Sequence, residues 1–369
     1  MIKRVIAAII TCCMILSCVA CEPENQITYT NASIPIETPI DLDIIATQFS
    51  SILFQTDSKV YYQNIEDKTL SIFVYNIATE TTDKVGDIKN FLMSNTSVAE
   101  LDGKIYFFVT TSTLFGKTNN FYSVDTHTDK LKKIYDENLY QSFNYLISFE
   151  GTIYSLKGDK KGDNAITFIE SYNVSSNKRE TVKKHIANHN EKTGELLLNM
   201  TCDNDKIYIY SQKYSEGEIR FFLDTYDKEF NLLEAKEFKN KEYLNVFSSA
   251  IPRLSVKNNN LYVQNFSNAS ILEVVNENVK PIITDFEKPL WLSYRFSNES
   301  PWILYYRGEP YVYKLNENGE LQKSNKLSVE NGYAINMVTQ NKDSVLIHLK
   351  SIDDSTKKKL ILYSFTDLF

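Results

Sequence analysis

Glycine and proline are scarce in this sequence of 369 residues, numbering 11 and 8, against average usage near ~7% and ~5%. That shortage excludes a collagen-like chain and a Pro/Gly-rich low-complexity chain. Cysteine is scarce in a different way. Four of the five lie within the first 21 residues, which leaves Cys202 alone in the rest of the chain and excludes a disulfide-stapled scaffold. There is no basic surplus: 40 Lys and Arg face 47 Asp and Glu, a net charge of −7. Nucleic acid is therefore excluded as a partner, since nothing neutralises its phosphates. No stretch beyond residue 21 offers the roughly 18 consecutive apolar residues of a spanning helix. What the chain has instead is 24 Tyr, 21 Phe and 43% hydrophobic residues, enough for a large core and too many for a disordered chain.

The N-terminus reads as an export signal. Lys3 and Arg4 give a positive start, and Val5 to Val19 form an apolar run too short to span comfortably. The run ends Leu16-Ser17-Cys18-Val19-Ala20-Cys21-Glu22. This segment resembles the lipobox of bacterial lipoproteins, which implies cleavage before a cysteine that is then acylated. Cys21, preceded by Val19 and Ala20, fits better; Cys18, preceded by Ser17 with Ile15 at the usual Leu position, is the alternative. The plainer reading is a secreted protein cleaved nearby. The resemblance implies a protein lipid-anchored to the cell membrane on its extracytoplasmic face, with the bilayer as a partner. Multiple acyl chains hold stably where one would be marginal. Loss of residues 1–20 removes Lys3 and Arg4 and no acid, taking the net charge from −7 to −9, so lipid and not basic charge would be the anchor. Residues 21–40, with Pro23, Pro35 and Pro39 among small polar residues, read as a tether reaching up to ~60 Å.

From residue 41 onward the chain repeats. A polar turn followed by an aromatic-aliphatic run recurs as Lys59-Val60-Tyr61-Tyr62, Lys104-Ile105-Tyr106-Phe107, Thr152-Ile153-Tyr154-Ser155, Lys206-Ile207-Tyr208-Ile209 and Asn260-Leu261-Tyr262-Val263. Weaker copies are Trp302-Ile303-Leu304-Tyr305 and Ser344-Val345-Leu346-Ile347, and successive steps measure 45, 48, 54, 54, 42 and 42 residues. A second landmark ends an apolar run in Asn or Asp and keeps the same beat: Val74-Tyr75-Asn76, Ser123-Val124-Asp125, Ser171-Tyr172-Asn173, Thr225-Tyr226-Asp227, Val274-Val275-Asn276 and Lys314-Leu315-Asn316.

Each unit reads as four short strands. Asp102-Gly103 between two apolar runs signals a type I′ hairpin. The run Ile105 to Val109 is apolar on both faces, as in a sheet covered on both sides. Four-stranded units on this beat predict an all-β fold over residues 41–369: a β-propeller of seven four-stranded blades, with six or eight as alternatives. The last unit ends one strand short, so an N-terminal strand, Asp41 to Thr47 or else Gln26 to Thr30, is expected to complete it. A string of β-sandwiches is the rival fold and would not need the beat. The hydrophobic-Tyr-x-Asp/Asn landmark and the Asp-Gly-Lys-Ile-Tyr turn resemble the broad YVTN/TolB/quinoprotein-like superfamily of propellers found on bacterial surface lipoproteins. The Trp-Asp ending of WD repeats, the double Gly of kelch repeats and the sialidase turn are absent.

Catalytic signatures are thin. His185-Ile186-Ala187-Asn188-His189 has i, i+4 spacing but lacks the zincin Glu and reads as a polar connector between the third and fourth units. Asp203-Asn204-Asp205 begins like a calcium loop but has Ile207 at the fifth position and no Gly, so it reads as a turn. Gly158 to Asn164 reads as a hairpin tip, and Cys202 as a core thiol. No catalytic residue, metal site or cofactor is assigned. The remaining candidates are aromatics in the connections leading to the first strands: Phe91, Tyr140, Phe143, Tyr145, Tyr243, Phe247, Trp291, Tyr294 and Tyr333. Of these, Tyr140, Phe143, Tyr243, Trp291 and Tyr333 are the expected ligand-binding set, with wedging between units as the plainer role. The expectation is a monomeric, membrane-anchored module binding an extracytoplasmic protein, peptide or glycan. The alternatives are an extracytoplasmic hydrolase or lyase with carboxylates at a central channel, and a passive envelope scaffold or assembly factor.

Overall fold

A computed structural model describes residues 40–41, 51–56, 58–114, 116–137, 144–188, 191–203, 205–215, 218–238, 253–257, 260–265, 270–275, 278–283, 304–305, 312–315, 321–324, 329, 331–340, 344–354, 356–364 and 368. Strand β1 is Ile40–Asp41; the others come in consecutive sets. The first set is β2 (Ser51–Gln55), β3 (Lys59–Glu66), β4 (Thr69–Asn76) and β5 (Thr81–Lys89). The second is β6 (Phe91–Leu101), β7 (Lys104–Thr113), β8 (Gly116–Asp125) and β9 (Lys130–Glu137). The third is β10 (Asn144–Phe149), β11 (Thr152–Lys161), β12 (Asn164–Asn173) and β13 (Lys178–Asn188). The fourth is β14 (Thr193–Cys202), β15 (Ile207–Ser215), β16 (Glu218–Tyr226) and β17 (Leu232–Glu237). The fifth is β18 (Arg253–Lys257), β19 (Asn260–Asn265), β20 (Ser270–Val275) and β21 (Asn278–Ile283). Three described strands follow as β22 (Leu304–Tyr305), β23 (Val312–Leu315) and β24 (Leu321–Lys323). The last set is β25 (Tyr333–Gln340), β26 (Ser344–Ser351) and β27 (Lys358–Ser364).

Every set is an antiparallel meander in sequence order. The hairpins are made by turn chemistry that relies only in part on glycine. Asp102 and Gly103 close β6–β7 with φ of 51° and 67°, and Asp67 and Lys68 close β3–β4 with φ of 46° and 61°. Both are the two positive φ values of a type I′ turn. Asn and Asp take many of the left-handed positions, but Lys68, Glu80, Glu150, Lys192 and Phe230 take others. A Cβ on Gly103 would lie 2.4 Å from the exposed His127 ring, which would have to turn away.

Burial orders the strands within each set. Strand β7 is buried without a break from Ile105 to Thr110, while β5 and β13 are mostly exposed. First strands are neighbours across sets: β6 touches β2 and β10, β14 touches β10 and β18, and β25 touches β2. The fourth strands therefore form the rim. The sheets pack face to face through apolar seams. Leu53, Tyr61 and Ile72 meet Ile105, Phe107 and Val109 between the first and second sets. Tyr106, Phe108 and Phe121 meet Leu146, Ile153 and Tyr172 between the second and third. Leu156 and Ile169 meet Leu197, Met200 and Ile209 between the third and fourth. Tyr210 and Leu223 meet Leu254 and Val263 between the fourth and fifth. Each such side chain removed from water contributes about 1.5–3 kcal/mol, so these seams dominate cohesion.

Two junctions depart from the simple meander. Sets three and four share one eight-stranded sheet, because β13 pairs with β14 through Ala187–Gly194 and Asn188–Thr193. Gly194 has φ of +90°, and a Cβ on it would fall 2.0 Å from the Ile186 carbonyl oxygen. The last sheet gains its fourth strand from the N-terminal side, with Ile40 opposite Leu362 and Asp41 opposite Ile361. Of the stretches expected to supply that strand, only Asp41 lies within the described residues. The last set also packs on the first, as Leu346, Leu360 and Leu362 cluster with Ile52, Val60 and Tyr62, and Gln55 Nε2 donates to Ser344 Oγ at 2.6 Å. Among the described residues, no helix is long and apolar enough to cross a membrane.

Candidate functional site

In each meander the second-to-third hairpin and the connection to the next first strand lie at the same end, here the upper end. Backbone hydrogen bonds tie the two features together: Phe91 N donates to Lys68 O at 2.8 Å, and Ile352 N donates to Gly332 O at 2.8 Å. Three of the expected aromatics stand at this end. Phe91 opens β6, Tyr145 is the second residue of β10, and Tyr333 opens β25. All three are half-buried. Phe91 and Tyr145 pack their covered sides against seam clusters and Tyr333 against the apolar cluster of the last set, so packing and exposure occur together in one side chain. Tyr333 has the Lys359 ammonium 5.3 Å from its ring centroid, which leaves an aromatic face, a hydroxyl and a cation side by side. Tyr140, Phe143, Tyr243, Phe247, Trp291 and Tyr294 lie outside the described residues, as do Cys18 and Cys21.

Charged side chains form a second feature, inside the seams. Between sets two and three, Lys157 of β11 is fully buried and donates to Glu137 Oε2 at 2.8 Å and to Glu170 Oε2. Arg179 donates through Nε to Glu170 Oε2 at 2.9 Å, through Nη2 to Glu170 Oε1 at 2.7 Å, and through Nη2 to Glu137 as well. Asn119 Nδ2 donates to Glu137 Oε1 at 3.0 Å. Aromatic faces line the cluster, with Lys157 Nζ 4.8 Å from the Phe108 centroid and the Arg179 guanidinium 4.3 Å from that of Tyr135. Burial pulls Lys157 below the ordinary lysine range against the opposing pull of both glutamates. Burial pushes Glu170 up, but Arg179 and Lys157 outweigh it and hold Glu170 below the usual carboxylate range.

The seam between sets three and four carries a counterpart. His185 Nδ1 lies 2.9 Å from Glu195 Oε2, and Lys213 Nζ lies 3.4 Å from Glu195 Oε1 and 3.6 Å from Asp224 Oδ2. Lys183 sits 4.4 Å from the Tyr226 ring centroid. Asp224 Oδ1 is buried with no hydrogen-bond partner among the described residues. Burial raises the Asp224 carboxyl, and Glu195 adds to that, while Lys213 and Lys183 pull the other way.

The other sequence candidates resolve locally. His185 to Asn188 belong to the rim strand β13 and not to a loop; that strand is mostly exposed and so has no alternation to betray it. His189 lies outside the described residues. Asp203 closes a turn, its Oδ1 accepting from Asp205 N at 2.9 Å and Lys206 N at 2.7 Å. Cys202 ends the first strand β14, is buried, and donates to Ser148 O at 3.3 Å. Gly162 and Asp163 form the tip between β11 and β12. Among the described residues, no group of three or more His, Cys, Asp or Glu is placed to hold a metal ion.

No family model matches the chain, and no curated protein matches it. Solved structures do. The β-propeller domain of the trilobed protease from Pyrococcus furiosus is 11% identical with a TM-score of 0.52, covering 89% of this chain and 96% of that one. The fold is a β-propeller. An uncharacterised protein of Listeria monocytogenes aligns over 90% of this chain and 97% of its own at 10% identity and TM-score 0.45. A prolyl endopeptidase aligns over 82% of this chain and 47% of its own at 12% identity and TM-score 0.48. At such identities the likeness is one of fold alone.

Proposed function

We propose that this protein is a lipoprotein whose propeller is held at the extracytoplasmic face of the cell membrane through Cys21 and binds a protein, peptide or glycan on its upper end. The observation that carries this reading is the placement of Phe91, Tyr145 and Tyr333 at the starts of three first strands, each half-covered by an apolar cluster and half-open. Side chains fixed on one side by packing present an aromatic face at little entropic cost, as recognition surfaces require. Tyr140, Phe143, Tyr243 and Trp291 occupy connections of the same kind in the sequence and complete the proposed surface. Seven blades, the last completed by β1, form the scaffold of this reading. Between sets two and three the fully buried Lys157 and the partly exposed Arg179 are already engaged by Glu137 and Glu170.

Two measurements test the reading. Cys21→Ser should move the full-length protein from the membrane to the soluble extracytoplasmic fraction, whereas Cys18→Ser should leave it in place; the reverse pattern would assign the anchor to Cys18. The combined Tyr140→Ala, Tyr243→Ala, Trp291→Ala and Tyr333→Ala variant should lose binding to whichever arrayed peptide or glycan the unlipidated protein retains. Retained binding would remove the upper end from the proposal.

A further inference from the structure

We propose that Lys183, in the seam between sets three and four, is a nucleophilic amine that captures a small aldehyde as an imine. The inference goes beyond the binding reading and does not rest on it, since it concerns a seam and not the upper end. Lys183 lies on the rim strand β13 opposite Ile169. Ile169 belongs to the apolar cluster between sets three and four, which puts Lys183 on the face turned towards set four. The side chain is half-buried, with Nζ 4.4 Å from the Tyr226 ring centroid. Among the described residues it makes no hydrogen bond and no ion pair. Other lysines differ. Lys59, Lys84, Lys133 and Lys236 lie 2.6–2.9 Å from a carboxylate, and Lys157 is fully buried between two glutamates.

The charged and titratable groups packed around Lys183 are His185 of its own strand, Glu195 of β14, Lys213 of β15, and Asp224 and Tyr226 of β16. Burial acts most strongly and disfavours the ammonium. Asp224 and Glu195 pull the other way, Lys213 adds like-charge repulsion to burial, and the balance holds Lys183 below the ordinary lysine range. Both carboxylates are committed elsewhere, Glu195 to His185 and each of them to Lys213. The Tyr226 ring also favours the ammonium, and it fixes where the amine sits. A desolvated lysine beside a second cation is the arrangement that makes an amine nucleophilic. The Nζ lone pair attacks the carbonyl carbon, forming the C–N bond as the carbonyl π pair moves to oxygen. Both protons of the neutral amine pass to that oxygen, which departs as water when the C–O bond breaks and C=N forms. Nothing is oxidised or reduced. His185, Glu195 and Lys213 keep only 20%, 19% and 29% of their side chains exposed, so the amine is reached past partly covered groups. Such an approach suits a small aldehyde and not a polymer.

The test treats the full mature chain carrying Cys21→Ser with acetaldehyde and sodium cyanoborohydride, which fixes an imine as an ethylated lysine, and maps the label by peptide mass spectrometry. At neutral pH Lys183 should be ethylated about tenfold or more faster than Lys184, its exposed neighbour on the other face of β13. Its rate should also level off at a lower pH than that of Lys184. Lys213→Met removes the neighbouring like charge and should slow labelling of Lys183 several-fold at neutral pH. Asp224→Asn removes an opposing charge and should speed it. Lys183→Arg keeps the charge, should melt with the parent, and should lose this label alone. Label spread evenly over the exposed lysines, or rates at Lys183 and Lys184 that level off at the same pH, would overturn the proposal. So would a Lys183 rate that neither Lys213→Met nor Asp224→Asn moves. Should Lys183→Arg fail to fold, the map and pH profile of the parent protein decide the matter. Failure here leaves the upper-end binding reading standing, because the arrayed peptides and glycans test that separately.

Discussion

The seams flanking the third set hold charges at equivalent positions and treat them in opposite ways. Glu170 and Asp224 each sit two residues before the landmark tyrosines Tyr172 and Tyr226. Glu137 and His185 pair with Asn119 and Thr167, five residues before the landmarks Val124 and Tyr172. In the first seam Lys157 and Arg179 supply a donor to every oxygen of both glutamates except the one that Asn119 serves. In the second seam Lys213 approaches no closer than 3.4 Å and Asp224 keeps an unserved oxygen. A buried ion cluster is worth little against apolar packing when complete but is costly to break, and an incomplete one is costly as it stands. One architecture therefore contains a finished polar lock and an unfinished one.

Removing the central cation separates the two most sharply. Lys157→Met should cost about 3–5 kcal/mol in urea unfolding, because two buried carboxylates lose their fully buried cation and keep only Arg179 and Asn119. Lys213→Met should cost under about 1 kcal/mol, since Lys213 is 29% exposed and its contacts are long. Equal losses would erase the distinction. The seam between last and first sets supplies a third case, a buried base. His348 shares a strand face with Leu346, which packs on the first set, and burial, with help from Lys358 and Lys350, drops its pKa from 6.5 to about 4. The unfolded chain then takes up the proton first as pH falls, so stability should be full above pH 6.5 and decline towards pH 4. The total loss from this site is about 3 kcal/mol. His348→Phe should flatten that slope in unfolding titrations, and an unchanged slope would assign it to the carboxylates.

The sequence made the scaffold legible because its signals are local. Asp102-Gly103 specifies a turn by itself, and the run Ile105 to Val109 declares a strand covered on both faces. The upper-end positions of Phe91, Tyr145 and Tyr333 followed from the beat alone. The seams were not legible, because Glu137 and Lys157 meet across two sheets and nothing in the spacing of 20 residues encodes that meeting. A weaker signal was present: Lys157 ends the apolar run Ile153 to Leu156, and Glu170 follows Ile169 in the buried third strand. A charge in such a place needs a partner. Strand β13 was misread for the converse reason, since a rim strand wet along its length loses the alternation by which strands are recognised.

The smallest effect is the most discriminating. Asp224 has its folded pKa raised, chiefly by burial, so the site favours the native state fully below the unfolded carboxylate pKa and progressively less as pH rises through the folded value. Asparagine reproduces the protonated shape without the charge. Asp224→Asn should therefore stabilise the protein at pH 7–8, by up to about 1 kcal/mol, and the gain should vanish as pH falls into the ordinary carboxylate range. Glu170 has its folded pKa lowered, Arg179 and Lys157 outweighing burial, so its contribution is present above the unfolded pKa and lost as pH falls. Glu170→Gln should accordingly destabilise at neutral pH and converge on the parent in acid. Equivalent positions in adjacent sets are thus expected to give mirror-image pH profiles in matched urea titrations. Two profiles of the same sign would mean that burial, and not the completeness of donor supply, sets the behaviour of both seams.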